Sequence, residues 1–167
     1  MDSNAVIIRP LSIDDFEEVL NWSKNDAFCI ANDWELNRNS DELYDWWQRC
    51  VNHNTSDFIR LGIEWRNRLI GYADLANIKG NTAEFGVAIG ESTLWGRGLG
   101  FHAANQFLDY VAMKYKISIV NAETHVTNLR SKGMLEKLGF QEISRIGFEK
   151  YKGVETQLIQ YQLILSS

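Results

Sequence analysis

The chain has 167 residues, of which 45% are hydrophobic and 23% charged, and its formal net charge at neutral pH is −5. That is enough apolar material for one core of ordinary domain size and too much for a disordered chain. A polybasic nucleic-acid binder is excluded, since 17 Lys and Arg face 22 Asp and Glu and form no cluster. No stretch approaches the roughly 20 apolar residues of a membrane helix. The Met1-Asp2-Ser3-Asn4 start lacks the basic region and apolar run of a secretory signal. Cys29 and Cys50 have no metal-ligand spacing, and His53, His102 and His125 lie far apart, so no metal site is expected. The two thiols read as reduced, in a cytoplasmic protein. Without repeats, linkers or a composition shift, residues 1–167 read as one domain.

Val6-Ile7-Ile8 reads as a short buried strand ending at Pro10. Ser12 opens a helix with Asp15 as its capping-box partner, and Ile13, Phe16, Val19 and Leu20 give it an apolar stripe. The acidic run Asp14, Asp15, Glu17 and Glu18 reads as complementing the helix dipole. Residues 26–39 read as an irregular loop. Ser40 then caps a second helix, in which the neighbours Trp46 and Trp47 cannot both point at the core. From Ile59 to Trp65 the period changes to two, Arg66-Asn67-Arg68 reads as a tight turn, and Leu69 to Ala76 is a second strand. After Lys79-Gly80-Asn81 comes a third strand, with Ala83, Phe85, Val87 and Ile89 on one face. Its other face, Glu84, Gly86, Ala88 and Gly90, is small except for one carboxylate. Residues 98–115 read as a helix, Ile117 to Val126 as a strand, and Asn128 to Leu138 as a short helix stopped by Gly139. Strands near 140–149 and 154–165 close the chain. Only the crossover of residues 83–126 suits a parallel pair, so the order βααβββαβαββ predicts a mixed α+β fold. Its sheet has about seven mostly antiparallel strands, with helices on both faces.

Between the third strand and its helix lies Trp95-Gly96-Arg97-Gly98-Leu99-Gly100. Alternating glycines let main-chain N–H groups approach a ligand, and the helix behind adds its unpaired N–H groups and positive dipole end, a suitable cradle for a diphosphate. Arg97 would add a cation at the rim. No P-loop pattern is present. Gly98 to Ala103 fits a dinucleotide fingerprint with Glu123 at about the right distance, but it comes too late in the chain for that fold.

Four segments in this order resemble the GNAT superfamily of N-acetyltransferases, in the branch of ribosomal-protein-alanine and spermidine N-acetyltransferases. They are Ala83-Glu84-Phe85-Gly86, Leu94 to Gly100, Asn128-Leu129-Arg130-Ser131 and Leu135-Glu136-Lys137-Leu138-Gly139-Phe140. The resemblance implies an acetyl-CoA cosubstrate in a wedge between two splayed strands. The pantetheine arm pairs with the main chain around Val87, Ala88 and Ile89, the diphosphate sits on the amides of Trp95, Gly96, Arg97, Gly98, Leu99 and Gly100, and Asn128 reaches the pantetheine from the other side. It also implies acetyl transfer to a primary amine such as a protein N-terminus or a polyamine. Trp95 stands where relatives carry Gln or Arg, and Leu135 where many carry a Tyr that protonates the leaving thiolate. A leucine cannot donate a proton, which leaves Ser131 as the nearest donor or as a small packing residue.

An attacking amine must lose a proton, so a base is required. Glu84, the lone carboxylate of its face, is the first candidate, with Glu123 and His125 behind it. The acceptor pocket is expected from Asp33, Trp34, Glu35 and Trp47 of the first two helices and their loop, and from Tyr151 of the late hairpin. Because Leu135 replaces the tyrosine, a GNAT-like module that holds coenzyme A without catalysis stands beside the enzyme. The sequence leaves open a homodimer, and it points to neither a nucleic-acid nor a membrane partner.

Overall fold

The fold is that of a computed structural model describing residues 5–53 and 55–165. The Met1–Asn4 start, which bears on a secretory signal, lies outside them. In chain order come β1 (Ile7–Arg9), α1 (Phe16–Ser23), α2 (Asp26–Ala31), α3 (Ser40–Val51), β2 (Ile59–Trp65), β3 (Arg68–Lys79) and β4 (Thr82–Ile89). They are followed by α4 (Leu99–Tyr115), β5 (Ile119–His125), α5 (Leu129–Leu138), β6 (Gln141–Ser144), β7 (Phe148–Tyr151) and β8 (Val154–Ile164). The sheet order is β1-β2-β3-β4-β5-β8-β6, with β7 also paired to β8. Every pairing is antiparallel except β4 with β5, which are joined through the α4 crossover. Among the described residues no helix is long and apolar enough to cross a membrane.

Local chemistry explains most boundaries. The β2–β3 hairpin turns on Arg66 and Asn67 at φ 51° and 64°, the doubly left-handed geometry whose twist matches paired strands. The Ser12 hydroxyl accepts from the Asp14 N–H, and the Asp15 carboxylate accepts from the Ser12 N–H at 2.8 Å, closing the expected capping box around a 3₁₀ turn that precedes α1. Asp15 does more than complement a dipole. It is buried and accepts two bonds from the Arg9 guanidinium at 3.0 and 2.8 Å, while Arg9 also reaches Glu64 at 2.8 Å. These two carboxylates hold the Arg9 pKa above its usual value, and the trio ties β1 and β2 to the start of α1.

Three expectations change. The segment 26–39 is not all loop, because the Asn25 side chain accepts from the Phe28 N–H and starts α2, whose Phe28 and Cys29 are buried. Two inward residues are too short a pattern to announce a helix in sequence. Asn39, not Ser40, caps α3, accepting from the N–H groups of Asp41 and Glu42. The strand expected near 140–149 is two strands, β6 and β7, parted where Gly147 takes φ 94°.

Two layers of helix enclose the sheet. On one face Val19, Trp22, Phe28, Leu43 and Trp47 of α1–α3 pack on Leu69 and Ala88. On the other, Ala104, Phe107 and Val111 of α4 and Leu135 of α5 pack on Phe85 of β4 and Val120 of β5. Trp47 is buried and its indole donates to the Ser12 carbonyl at 3.0 Å, whereas Trp46 turns partly outward. The Trp22 ring lies flat over Gly90, so close that a Cβ there would fall 2.2 Å from it. Gly90→Ala should therefore overpack this contact and destabilise the fold by about 1–3 kcal/mol; urea unfolding monitored by far-UV circular dichroism reads the change.

Candidate active site

β4 and β5 pair only at Thr82↔Ile119, Ala83↔Val120 and Glu84↔Asn121. Beyond that rung β4 runs on to Ile89 against β3, and β5 runs on to His125 against β8. Each strand is held on its outer side and released on its inner side, so the sheet opens between them. Into this opening faces a cavity of about 800 Å³, within the range of small-molecule and cofactor sites.

One wall of the cavity is Val87, Ala88 and Ile89 of β4, continued by Trp95, Gly96, Gly98, Leu99 and Gly100. Gly96 and Gly98 adopt φ 78° and 82°, a left-handed geometry that side chains disfavour. Gly98 sits at the N-cap of α4 with no side-chain cap, so the first N–H groups of that helix are left for another acceptor. Gly100 is different. A Cβ there would meet only ordinary contacts, 3.6 Å from Met134 Sδ and 3.7 Å from Ile89 Cγ1, so neither its φ nor its packing demands glycine. What the missing side chain leaves is room in the cavity, at the place where a diphosphate would rest on the helix N-terminus.

The opposite wall is α5 and its cap. The Asn128 side-chain carbonyl accepts from the Ser131 N–H at 3.2 Å, which leaves the Asn128 amide N–H groups free to donate. Asn128 and Ser131 both line the cavity, and the Ser131 hydroxyl has no hydrogen bond among the described residues. Leu135 is only 2% exposed and belongs to the core, turned away from the cavity. The Trp95 indole donates to the Ile89 carbonyl at 2.9 Å, so one main-chain acceptor of β4 is already satisfied from within the chain.

Four expected site residues lie elsewhere. Arg97 is outside the lining, its guanidinium over the Trp65 ring at 5.4 Å. Trp47 is in the core. Glu35 is exposed and outside the lining. Glu84 stands at the last paired rung, exposed and accepting from the Asn77 amide at 2.8 Å, but does not line the cavity. Nor is its small-residue face empty for a ligand. The Asp74 carboxylate fills the space a Cβ of Gly86 would need, Trp22 fills that of Gly90, and Arg60 holds Asp74 through two bonds at 3.1 and 2.9 Å. Burial pushes the Asp74 pKa up against this pairing.

The structure does bring Asp33, Trp34 and Tyr151 to the cavity, together with Glu123 and His125 of β5. Trp34 is set edge-on between Phe28 and Trp46, with ring centres 4.9 and 5.2 Å away. The His125 Nδ1 is hydrogen-bonded to the Thr156 hydroxyl, and its ring stacks on Tyr151 at 4.8 Å and 15°. Glu123 accepts from the Gln160 amide at 2.8 Å. Arg130, Met134 and Lys137 of α5 line the cavity without having been singled out in sequence. Arg130 lies inside the very Asn128–Ser131 segment that marks the helix start, and Lys137 two turns further on.

A sequence profile described as the acetyltransferase (GNAT) domain matches residues 5–141. The chain belongs to this acetyltransferase family. It is 28% identical over 153 residues to the uncharacterized protein MJ1062 of Methanocaldococcus jannaschii, covering 86% of this chain but only 30% of that longer protein. Its fold is that of Vibrio cholerae spermidine N-acetyltransferase in complex with CoA and spermine, with TM-score 0.81, 21% identity and 95% of each chain covered. It matches the microcin C7 self-immunity acetyltransferase MccE, bound to acetyl-CoA and AMP, at TM-score 0.82 and 17% identity over 96% of this chain and 92% of that one. The ribosomal L7/L12 protein acetyltransferase RimL follows at 0.81 and 15%, over 96% and 94%. At these identities the likeness speaks for the fold.

The glycines should separate on substitution. Gly98→Ala forces an alanine to φ 82° and should cost about 1–2 kcal/mol, whereas Gly100→Ala, within a helix, should leave the thermal midpoint unchanged or raised. Differential scanning calorimetry of both variants reads this contrast.

Proposed function

We propose that the protein transfers an acetyl group from acetyl-CoA to a primary amine by direct attack on the thioester. The observation that carries the reading is the opening of the sheet after Glu84 and Asn121 onto a cavity continuous with the glycine segment. The residues present fit the coenzyme. Gly96 and Gly98 turn the main chain, Gly100 leaves space a methyl would occupy, and Val87 to Ile89 present a strand edge for the pantetheine amides. Acetyl-CoA supplies the activated acyl group; the remaining steps are the work of this chain.

A primary amine like that of lysine has a pKa near 10.4, so only about one in 10³ is neutral at pH 7. Asp33, Glu123 and Glu149 put carboxylates on the cavity lining to draw an ammonium group in, with Trp34 and Tyr151 as walls. We assign the proton to His125 Nε2. Its Nδ1 is engaged by Thr156 and its ring is stacked on Tyr151, which orients the second nitrogen toward the cavity as a proton acceptor. The neutral amine then attacks the thioester carbonyl. A main-chain N–H between Val87 and Ile89 holds the oxyanion, the C–S bond breaks as the carbonyl re-forms, and the proton lost by the attacking nitrogen passes through the Ser131 hydroxyl or water to the departing thiolate.

The buried Leu135, in the position of the family's tyrosine, favours a second reading, a coenzyme-binding protein without turnover. Thiol release from acetyl-CoA across polyamines, aminoglycosides, amino acids and N-terminal peptides separates the two. Acetylation of at least one amine supports the enzyme, and calorimetry with no heat of CoASH binding removes both readings.

Two variants test the roles. His125→Gln should lower kcat at least tenfold, with CoASH affinity unchanged, read by thiol release and by isothermal titration. Glu84→Gln should change kcat less than twofold, and a larger loss would return the base to Glu84. Gly100→Ala should weaken CoASH binding about tenfold by isothermal titration while the fold stays intact, because its methyl enters the diphosphate space.

A further inference from the structure

Ion pairs tie several of the described arginines down. Arg9, Arg60, Arg68 and Arg145 each meet a carboxylate, with Asp15, Asp74, Glu91 and Glu142 as partners. Arg130 does not. Its guanidinium lies over the Trp95 ring, 3.7 Å from the centroid, and among the described residues it forms no ion pair. Lys137 repeats the arrangement two helical turns later, with its ammonium 4.3 Å from the Phe101 ring centre and no ion pair. Residues seven apart share a helix face, so α5 carries both cations on one side.

Both aromatic partners belong to the opposite wall of the cavity. Trp95 begins the glycine segment, and Phe101 sits in the first turn of α4. Arg130, Lys137, Trp95 and Phe101 all line the cavity. The two cations therefore bracket Gly96 to Gly100 and add their charge to the positive end of the α4 dipole. Gathering like charge without an acid between them is unfavourable unless an anion joins it. Desolvation lowers the Arg130 pKa, and no carboxylate offsets it. The aromatic faces hold the side chains in place and leave their N–H groups free, since a ring face engages a cation without consuming its hydrogen bonds. Arg97, the cation inside the glycine segment, is meanwhile turned away onto Trp65.

We propose that Arg130 and Lys137 of α5 are the side chains that grip the phosphates of the coenzyme, pulling the two walls of the wedge together over the glycine segment. This rests on the coenzyme A reading above and assigns the charge recognition within it. The ligand class is a nucleotide-linked diphosphate bearing a further phosphate, held by main-chain amides on one side and by the two α5 cations on the other.

Isothermal titration of CoASH into the full chain tests this, using wild type, Arg130→Gln, Lys137→Gln, the double variant and the charge-keeping Lys137→Arg. Each Gln variant should weaken CoASH binding about tenfold, as loss of a charge-assisted hydrogen bond does. Lys137→Arg should bind within threefold of wild type. Raising ionic strength from 0.05 to 0.5 M, at about these two values, should weaken wild type markedly and the double variant little, because screening acts on the removed charges. Arg97→Gln should bind as wild type does. Circular dichroism on each variant separates lost folding from lost binding, and a Gln variant that unfolds leaves the salt dependence of wild type and Lys137→Arg to decide. Wild type that binds CoASH while folded Gln variants bind within twofold of it overturns this inference and leaves the coenzyme reading standing. Wild type that binds no CoASH overturns both.

Discussion

Two neighbouring strands in the middle of a sheet part from each other, and the rest of this molecule is arranged around that separation. Main-chain N–H and C=O groups inside a protein need partners. β4 and β5 satisfy theirs mutually only as far as Glu84 and Asn121. Past that rung the inner edges face a cavity, and one carbonyl, that of Ile89, is taken by the Trp95 indole. Strand separation is tolerated because each strand is fully paired on its outer side, β4 to β3 and β5 to β8.

The two faces of the sheet divide the labour. The face under α4 and α5 is a continuous apolar core of Phe85, Phe107, Val111, Val120 and Leu135, and it fixes the two helices whose N-terminal ends form the walls of the wedge. The face under α1–α3 is aromatic and partly polar. Trp22 over Gly90 and the Arg60-held Asp74 beside Gly86 occupy the space that the small residues of β4 leave. The polar lining of the cavity accordingly comes from β5 and the β7–β8 turn, where Glu123, His125 and Tyr151 face it together with the loop that follows α2.

Charge follows the same division. Some arginines serve the structure, closing β1 and β2 on α1 through Arg9 or steadying β3 through Arg60. The α5 cations are not so used, and each is held on an aromatic ring across the wedge. Two cations beside a helix N-terminus make this part of the cavity locally positive despite a net charge of −5.

The linear order of residues determined whatever depends on near neighbours. The Ser12–Asp15 capping box, the Arg66–Asn67 turn, the Gly139 stop, the single parallel crossover and the Gly96–Gly100 segment are governed by φ preferences and by hydrogen bonds spanning a few residues. Tertiary structure alone decided the rest. Trp34 and Trp47 are alike in composition, yet one walls the cavity and the other lies in the core. Glu84 and Glu123 both look outward from adjacent strands, yet only Glu123 reaches the cavity, because Asp74 and Trp22 fill the face beside Glu84. Arg97 sits within the glycine segment and turns to Trp65, while Arg130, more than thirty residues later, crosses to Trp95. Such choices are settled by packing between elements far apart in the chain, and no local spacing encodes which neighbour arrives there.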